Sequence, residues 1–361
     1  MAIVILRDLL GPVLLLAAAW IMPSVAKPTV PFGVRVPADR THDPLITEQR
    51  RIYRWWIGTT GSALVLAGLV LSLLVQQVLV PVIIVAALLG VIAPGYLHAR
   101  LTIRSVKQRE GWFQGKRQVA VTDTARHTEP PRFPWLWALP AVLILAATVV
   151  YGVVRYPDMP ATLLLHFTGA GQPDRTAAKS IGSAFGVVFL QAGLTVLLLA
   201  MAYALPRLKP DLDPTRPRRS ANQNRRFASG MARTMLLVAA CVNLSLAFAS
   251  WQIWRGATSL AAFPIVLPTL VGAAGLLVFG LRYGQVGNNL PTDEEPANDA
   301  TERDDDRFWK LGLLYVNCAD HAILVPKRFG IGWTLNLGNP IAIGGFVVFL
   351  AACLVLPMLA R

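Results

Sequence analysis

The sequence predicts an all-α polytopic membrane protein of about eight transmembrane helices, with both termini outside and a small cytoplasmic β-hairpin in its last long loop. Three observations carry this expectation. The 361 residues are 54% hydrophobic and only 15% charged, with a mean hydropathy of +0.51, too apolar for an ordinary soluble domain. Eight apolar runs approach the roughly 20 residues that a bilayer core of about 30 Å requires. The 34 Lys and Arg fall almost entirely between those runs and alternate in density from loop to loop.

The runs are Ile3–Met22, Ile57–Val75, Val78–Ala99, Trp135–Val154, Gly182–Ala204, Met231–Trp254, Ala261–Leu281 and Ile341–Leu359. Only Gln76 and Gln77 separate the second and third, which predicts a tight helical hairpin there. Ser24-Val25-Ala26 has the form of a signal-peptidase site, but no basic region precedes the first run and six cations follow it. The expectation is a retained helix. Residues 23–55, 100–134, 205–230 and 282–338 carry six, eight, seven and six Lys or Arg, against three in 155–181 and one in 255–260. The positive-inside rule therefore assigns the four long loops to the cytoplasm and 155–181 to the outside of the cell membrane. On this basis the chain divides into 1–134, 135–204, 205–281, 282–338 and 339–361.

In the first long loop, Val30, Phe32, Val34 and Val36 alternate with polar or small residues as in a half-buried edge strand bounded by prolines. Residues 100–134, with Trp112-Phe113 and Lys116-Arg117, read as an interfacial amphipathic segment. The proline-rich 205–230 reads as a stiff basic linker. Asp293–Asp306 holds eight of the 20 acidic residues without a large apolar side chain and reads as an extended, solvated linker. Two β-prone runs, 311–316 and 322–328, flank Asn317–His321 and predict a hairpin, with which the 30–36 strand would pair. Trp333 would lie at the membrane interface.

The net charge of +14 belongs to loops, so anionic lipid headgroups rather than nucleic acid are the expected partner. Cys241, Cys318 and Cys353 form neither a disulfide framework nor a metal motif, and no cofactor, metal or catalytic motif is expected. Cys318, Asp320 and His321 read as turn residues. Within the spans the sole carboxylate is Asp8, which weighs against ion-coupled transport. Gln191, Asn243 and Ser245 are expected to bond between helices. The outward loop gathers His166, Asp174, Arg175 and Lys179 into a candidate ligand-binding surface; Asp174 caps the next helix in the blander reading and pairs with His166 in the more specific one.

Two patterns resemble known families. Tyr156-Pro157-x-x-Pro160, His166-Phe167, Gly171-x-Pro173-Asp174-Arg175 and Lys179 resemble the domain of unknown function 1648, also found in Sdp-type toxin immunity proteins. Residues 304–317, with Phe308, Trp309, Lys310, Gly312, Tyr315 and Asn317, and residues 325–336, with Lys327, Arg328, Gly330, Trp333 and Asn336, resemble family 5808. Sdp-type immunity proteins protect against a secreted peptide toxin and hold a repressor at the membrane. The resemblance implies a non-enzymatic sensor that binds an extracytoplasmic peptide and a cytoplasmic regulator, the latter through Trp309, Lys310, Tyr315, Lys327, Arg328 and Trp333. A permease or exporter of a small or lipid-like molecule is the alternative, and a membrane enzyme using His166 and Asp174 the third reading.

Overall fold

The computed structural model describes residues 2–75, 79–119, 132–167, 173–208, 210–291, 295–296, 298, 300–330 and 332–359. Its helices are α1 (Ala2–Val25), α2 (Pro44–Trp56), α3 (Ser62–Leu74), α4 (Val80–Arg109), α5 (Trp135–Arg155), α6 (Ile181–Ala204), α7 (Pro217–Trp254), α8 (Ala262–Tyr283) and α9 (Pro340–Leu359). A π-turn over Ile57–Gly61 joins α2 to α3. Among the described residues, seven helical segments are long and apolar enough to cross a membrane, and α9 forms on the eighth apolar run. Their large side chains point outward: Leu74, Leu136, Phe263 and Val348 are 77%, 79%, 74% and 69% exposed. A water-soluble bundle would bury these residues, so the protein is a multi-pass membrane protein. The Gln76-Gln77 boundary lies outside the described residues.

Two compact units share the chain. The first comprises Met1–Thr122, Lys209–Gln223 and Gly284–Arg361; the second comprises Asp123–Leu208 and Asn224–Tyr283.

In the first unit, α1, α3 and α4 pack together through Val80, Ile84 and Leu88 against Leu9, Leu16 and Leu64. The loop after α1 then enters a core with Ile46, Tyr53, Tyr96 and Ile103. This loop is not the predicted edge strand. Pro31–Gly33 is a 3₁₀ turn, and Phe32 and Gly33 have φ of 46° and 73°. Its hydrogen bonds are local, Val34 N–H to Pro31 C=O and Val36 N–H to Thr29 C=O. Both sets of alternating residues are buried, since Pro31, Gly33 and Arg35 are as enclosed as Val34 and Val36. An apolar alternation cannot distinguish a one-sided strand from a plug buried on all sides. Phe32 meets Tyr53 edge-on at 5.3 Å and stacks on Phe329 at 6.1 Å. Full burial of such a ring contributes about 1.5–3 kcal/mol.

Among the described residues there are four two-stranded ladders: β1 (Gln118–Val119) with β4 (Thr301–Glu302), β2 (Thr162–Phe167) with β3 (Pro173–Ala178), β5 (Trp309–Lys310) with β6 (Leu314–Tyr315), and β7 (Leu324–Pro326) with β8 (Trp333–Leu335). The predicted 311–328 hairpin is thus replaced by two tighter ones, and neither includes residues 30–36. The reason lies in the turn at Leu311-Gly312, whose φ values of 53° and 71° reverse the chain three residues after Trp309. Trp333, expected at the membrane interface, sits in β8.

Other loop expectations also change. Residues 217–230, read as linker, are the first turns of α7, which runs 38 residues. Residues 100–109, read as interfacial, continue α4, and Trp112 is only 4% exposed with its Nε1–H on Glu110. The acidic run beyond Ala300 is ordered by pairing rather than solvated.

The second unit is built on α5, α6, α8 and most of α7. Met159, Leu163, Ala184, Val188 and Trp254 form one core, and Trp254 donates to the Ala184 carbonyl at 2.7 Å. Inside the spans, Gln191 donates to the Asn243 carbonyl (3.2 Å), Asn243 to that of Ala141 (2.8 Å), and Ser245 meets Thr269 (2.8 Å). These are the expected interhelical bonds.

Candidate functional site

Two regions gather the residues singled out by the sequence. The first is the hairpin between α5 and α6. Its strands are antiparallel, pairing Thr162 with Ala178, Leu163 with Ala177, Leu164 with Thr176, His166 with Arg175 and Phe167 with Pro173. The register skips Leu165, and this bulge sets His166 opposite Arg175. Leu163 anchors the hairpin at 1% exposure.

Two expectations for this loop are revised. Asp174 lies in β3, and α6 is capped instead by Ser180, whose hydroxyl accepts from Ser183 N–H while Ser183 reciprocates. Lys179 is occupied: its ammonium donates to the carbonyls of Tyr156, Pro157 and Met159 at 3.4, 3.2 and 3.1 Å and sits 5.5 Å above the Tyr156 ring. It thereby neutralises the carbonyl end of α5 and its 3₁₀ extension. The side chains of His166 and Asp174 lie outside the described residues, and Arg175 is exposed.

The second region is a buried ion-pair cluster in the first unit. Lys27 lies 2.6 Å from Glu302 and 3.1 Å from Asp211; Arg35 lies 2.5 Å from Glu302, 3.2 Å from Asp211 and 3.3 Å from Asp305. Lys107 reaches Asp304 at 2.8 Å and Asp306 at 2.6 Å, and Arg328 pairs with both Asp305 and Asp306. Four cations with side chains at most 8% exposed thus meet five carboxylates. Such burial is tolerable only because each charge has several partners. Burial alone would raise the Asp306 carboxyl, but Arg328 and Lys107 outweigh it and hold it at about 2. The same competition, with Arg35 and Lys27 prevailing, holds Asp211 far below the usual carboxylate range. Burial works against the charge on Lys27, yet Asp211 and Glu302 raise its ammonium above the ordinary value.

The cluster's members come from all four long basic loops. Sequence reasoning missed it because the partners are up to 275 residues apart. One signal was present: Lys27 and Arg35 bracket an apolar plug, and the chain's densest acidic run, eight carboxylates over residues 293–306, contains only Arg303 as a cation.

The proposed partner residues sit beside this cluster. Trp309, Tyr315 and Arg328 are 6%, 7% and 3% exposed, with the rings 5.1 Å apart and the Arg328 guanidinium 5.0 Å over Trp309. Trp309 and Tyr315 form the small core of this region together with Val325. Lys310 and Lys327 are exposed, and Trp333 is half-buried. Asn336, fully buried, donates to the carbonyls of Asn317 and Asp320 and accepts from Asn317 and Gly338 N–H. Asn339 caps α9 by accepting from Ile341 N–H and donates to the His321 carbonyl. Asp320 accepts from Tyr315 and from Ala322 N–H, and Cys318 is exposed. Among the described residues no group of three His, Cys, Asp or Glu could hold a metal ion.

Residues 143–192 match a domain of unknown function, DUF1648, and residues 319–343 match a family of unknown function, DUF5808. The first match contains the whole hairpin with its flanking helical turns. The second contains the Asn336 and Asn339 network and the start of α9. No curated protein and no solved structure matches the chain.

Proposed function

We propose that this chain is a non-enzymatic sensor of the cell membrane, which binds a ligand at the β2–β3 hairpin and engages a cytoplasmic regulator beside the ion-pair cluster. The observation that carries the proposal is the convergence of the four basic loops on one cluster. Basic loops face the cytoplasm, so Lys310, Lys327 and Trp333 present their surface there. By the same rule the sparsely basic 155–181 loop, and with it the hairpin, faces outside. A two-stranded ladder has two outer edges, and an amphipathic peptide can pair with such an edge. Anionic headgroups hold the basic loops at the bilayer surface.

The test is site-specific photocrosslinking in cells. A crosslinker at Lys310 or Lys327 should capture a cytoplasmic protein, and the yield should change when Arg175→Gln alters the hairpin. A capture indifferent to the hairpin, or impermeant thiol reagents reaching cysteines at Thr176 and Lys310 from the same side, would overturn the proposal.

A further inference from the structure

A separate cavity in the first unit, of about 880 Å³, opens where the chain leaves α1 and where it resumes after α8. Lys116, Arg117, Arg216 and Arg219 contribute four cations to its wall. Lys116 pairs with Asp39, but among the described residues Arg117, Arg216 and Arg219 have no ion pair. The other carboxylates on the wall are engaged: Asp211 by Lys27 and Arg35, and Asp213 by the N–H and hydroxyl of Thr215.

The cavity is in the size range of small-molecule sites, and its wall carries more cations than carboxylates. The complement is an acceptor-rich anion with several oxygens. Arg guanidinium groups match phosphate oxygens in pairs.

We propose that this cavity binds a phosphate-bearing ligand, held by Arg117, Arg216 and Arg219. The site is independent of the sensor reading. Its phosphate belongs either to an anionic lipid headgroup, reached from the ends of the spans at Val25 and Tyr283, or to a soluble phosphoryl compound.

The test uses the full chain. Binding of inorganic pyrophosphate is measured by titration in neutral detergent micelles, and retention of phosphatidylglycerol over phosphatidylcholine is measured by mass spectrometry after purification from mixed nanodiscs. Saturable pyrophosphate binding assigns the soluble source, and selective retention of phosphatidylglycerol alone assigns the lipid. In either case the double variant Arg216→Gln/Arg219→Gln, at exposed and half-exposed positions, should weaken binding by more than about tenfold while keeping the ligand-free melting temperature. Absence of both binding signals, or binding unchanged in the double variant, overturns the proposal.

Discussion

Replacing Asp306 by Asn tests whether the buried cluster holds the four loops together. Asp306 accepts from Lys107 at 2.6 Å, from the Arg35 N–H at 3.0 Å and from Arg328. Its side chain is 12% exposed, so solvent screens these contacts little. Asparagine keeps an acceptor for the Arg35 N–H and removes only the charge. Orphaning a buried charge completely costs about 3–5 kcal/mol. Here Lys107 retains Asp304 and Arg328 retains Asp305, which reduces the loss. The displacement of the carboxyl from 3.8 to about 2 points to the same scale, on the order of 2–3 kcal/mol. For a body of this size that corresponds to a fall of roughly 5–10 °C in melting temperature. The assay is thermal unfolding of the full chain in detergent, followed by intrinsic tryptophan fluorescence, to which the buried Trp112 and Trp309 of the same unit contribute. Asp158→Asn is the control, because the Arg155–Asp158 pair has side chains 47% and 63% exposed and such pairs contribute about 0–1 kcal/mol. If both variants melt alike, the cluster is not what fixes the loops and the reasoning fails.

The other predictions concern single contacts. Acid should weaken the cluster in a defined window: a carboxyl held at about 2 contributes stability above its ordinary 3.8, and loses it as pH falls through about 2. Limited proteolysis with an acid-active protease at pH 2 and pH 6 should therefore show loop cleavage only at the lower pH. Lys179→Met should loosen the hairpin by about 1–3 kcal/mol, since it removes the donor to the Pro157 and Met159 carbonyls, whereas that of Tyr156 keeps the Met159 N–H; hydrogen exchange of the β2–β3 amides reads it. Gly338→Ala should cost about 1–3 kcal/mol, because the added carbon would stand 2.4 Å from the Asn317 backbone; unchanged melting would refute that packing. A disulfide between cysteines placed at Val34 and Leu324 should not form by strand pairing, since Leu324 already pairs with Leu335.

The membrane class, the helical runs and the interhelical roles of Gln191 and Asn243 were legible in the sequence because each depends on local composition. A 20-residue apolar run has few alternatives to a helix in lipid, and an amide inside one has few partners except a neighbouring helix. The two family resemblances were legible for a similar reason, since short patterns such as Tyr156-Pro157 after α5 or Asn336 before α9 reflect local turns and caps. The residues in the loops were a different matter. Whether Val30–Val36 forms a strand or a plug depends on what surrounds it, and whether Asp304–Asp306 is solvated depends on cations contributed by Lys107 and Arg328. Lys179 appeared as a ligand-binding cation until its three carbonyl acceptors were in view. Sequence alone therefore determined that the chain crosses the membrane many times and where its charge lies. Only the tertiary structure decided which charges meet, because burying an ion requires partners from distant loops and no local pattern encodes that pairing.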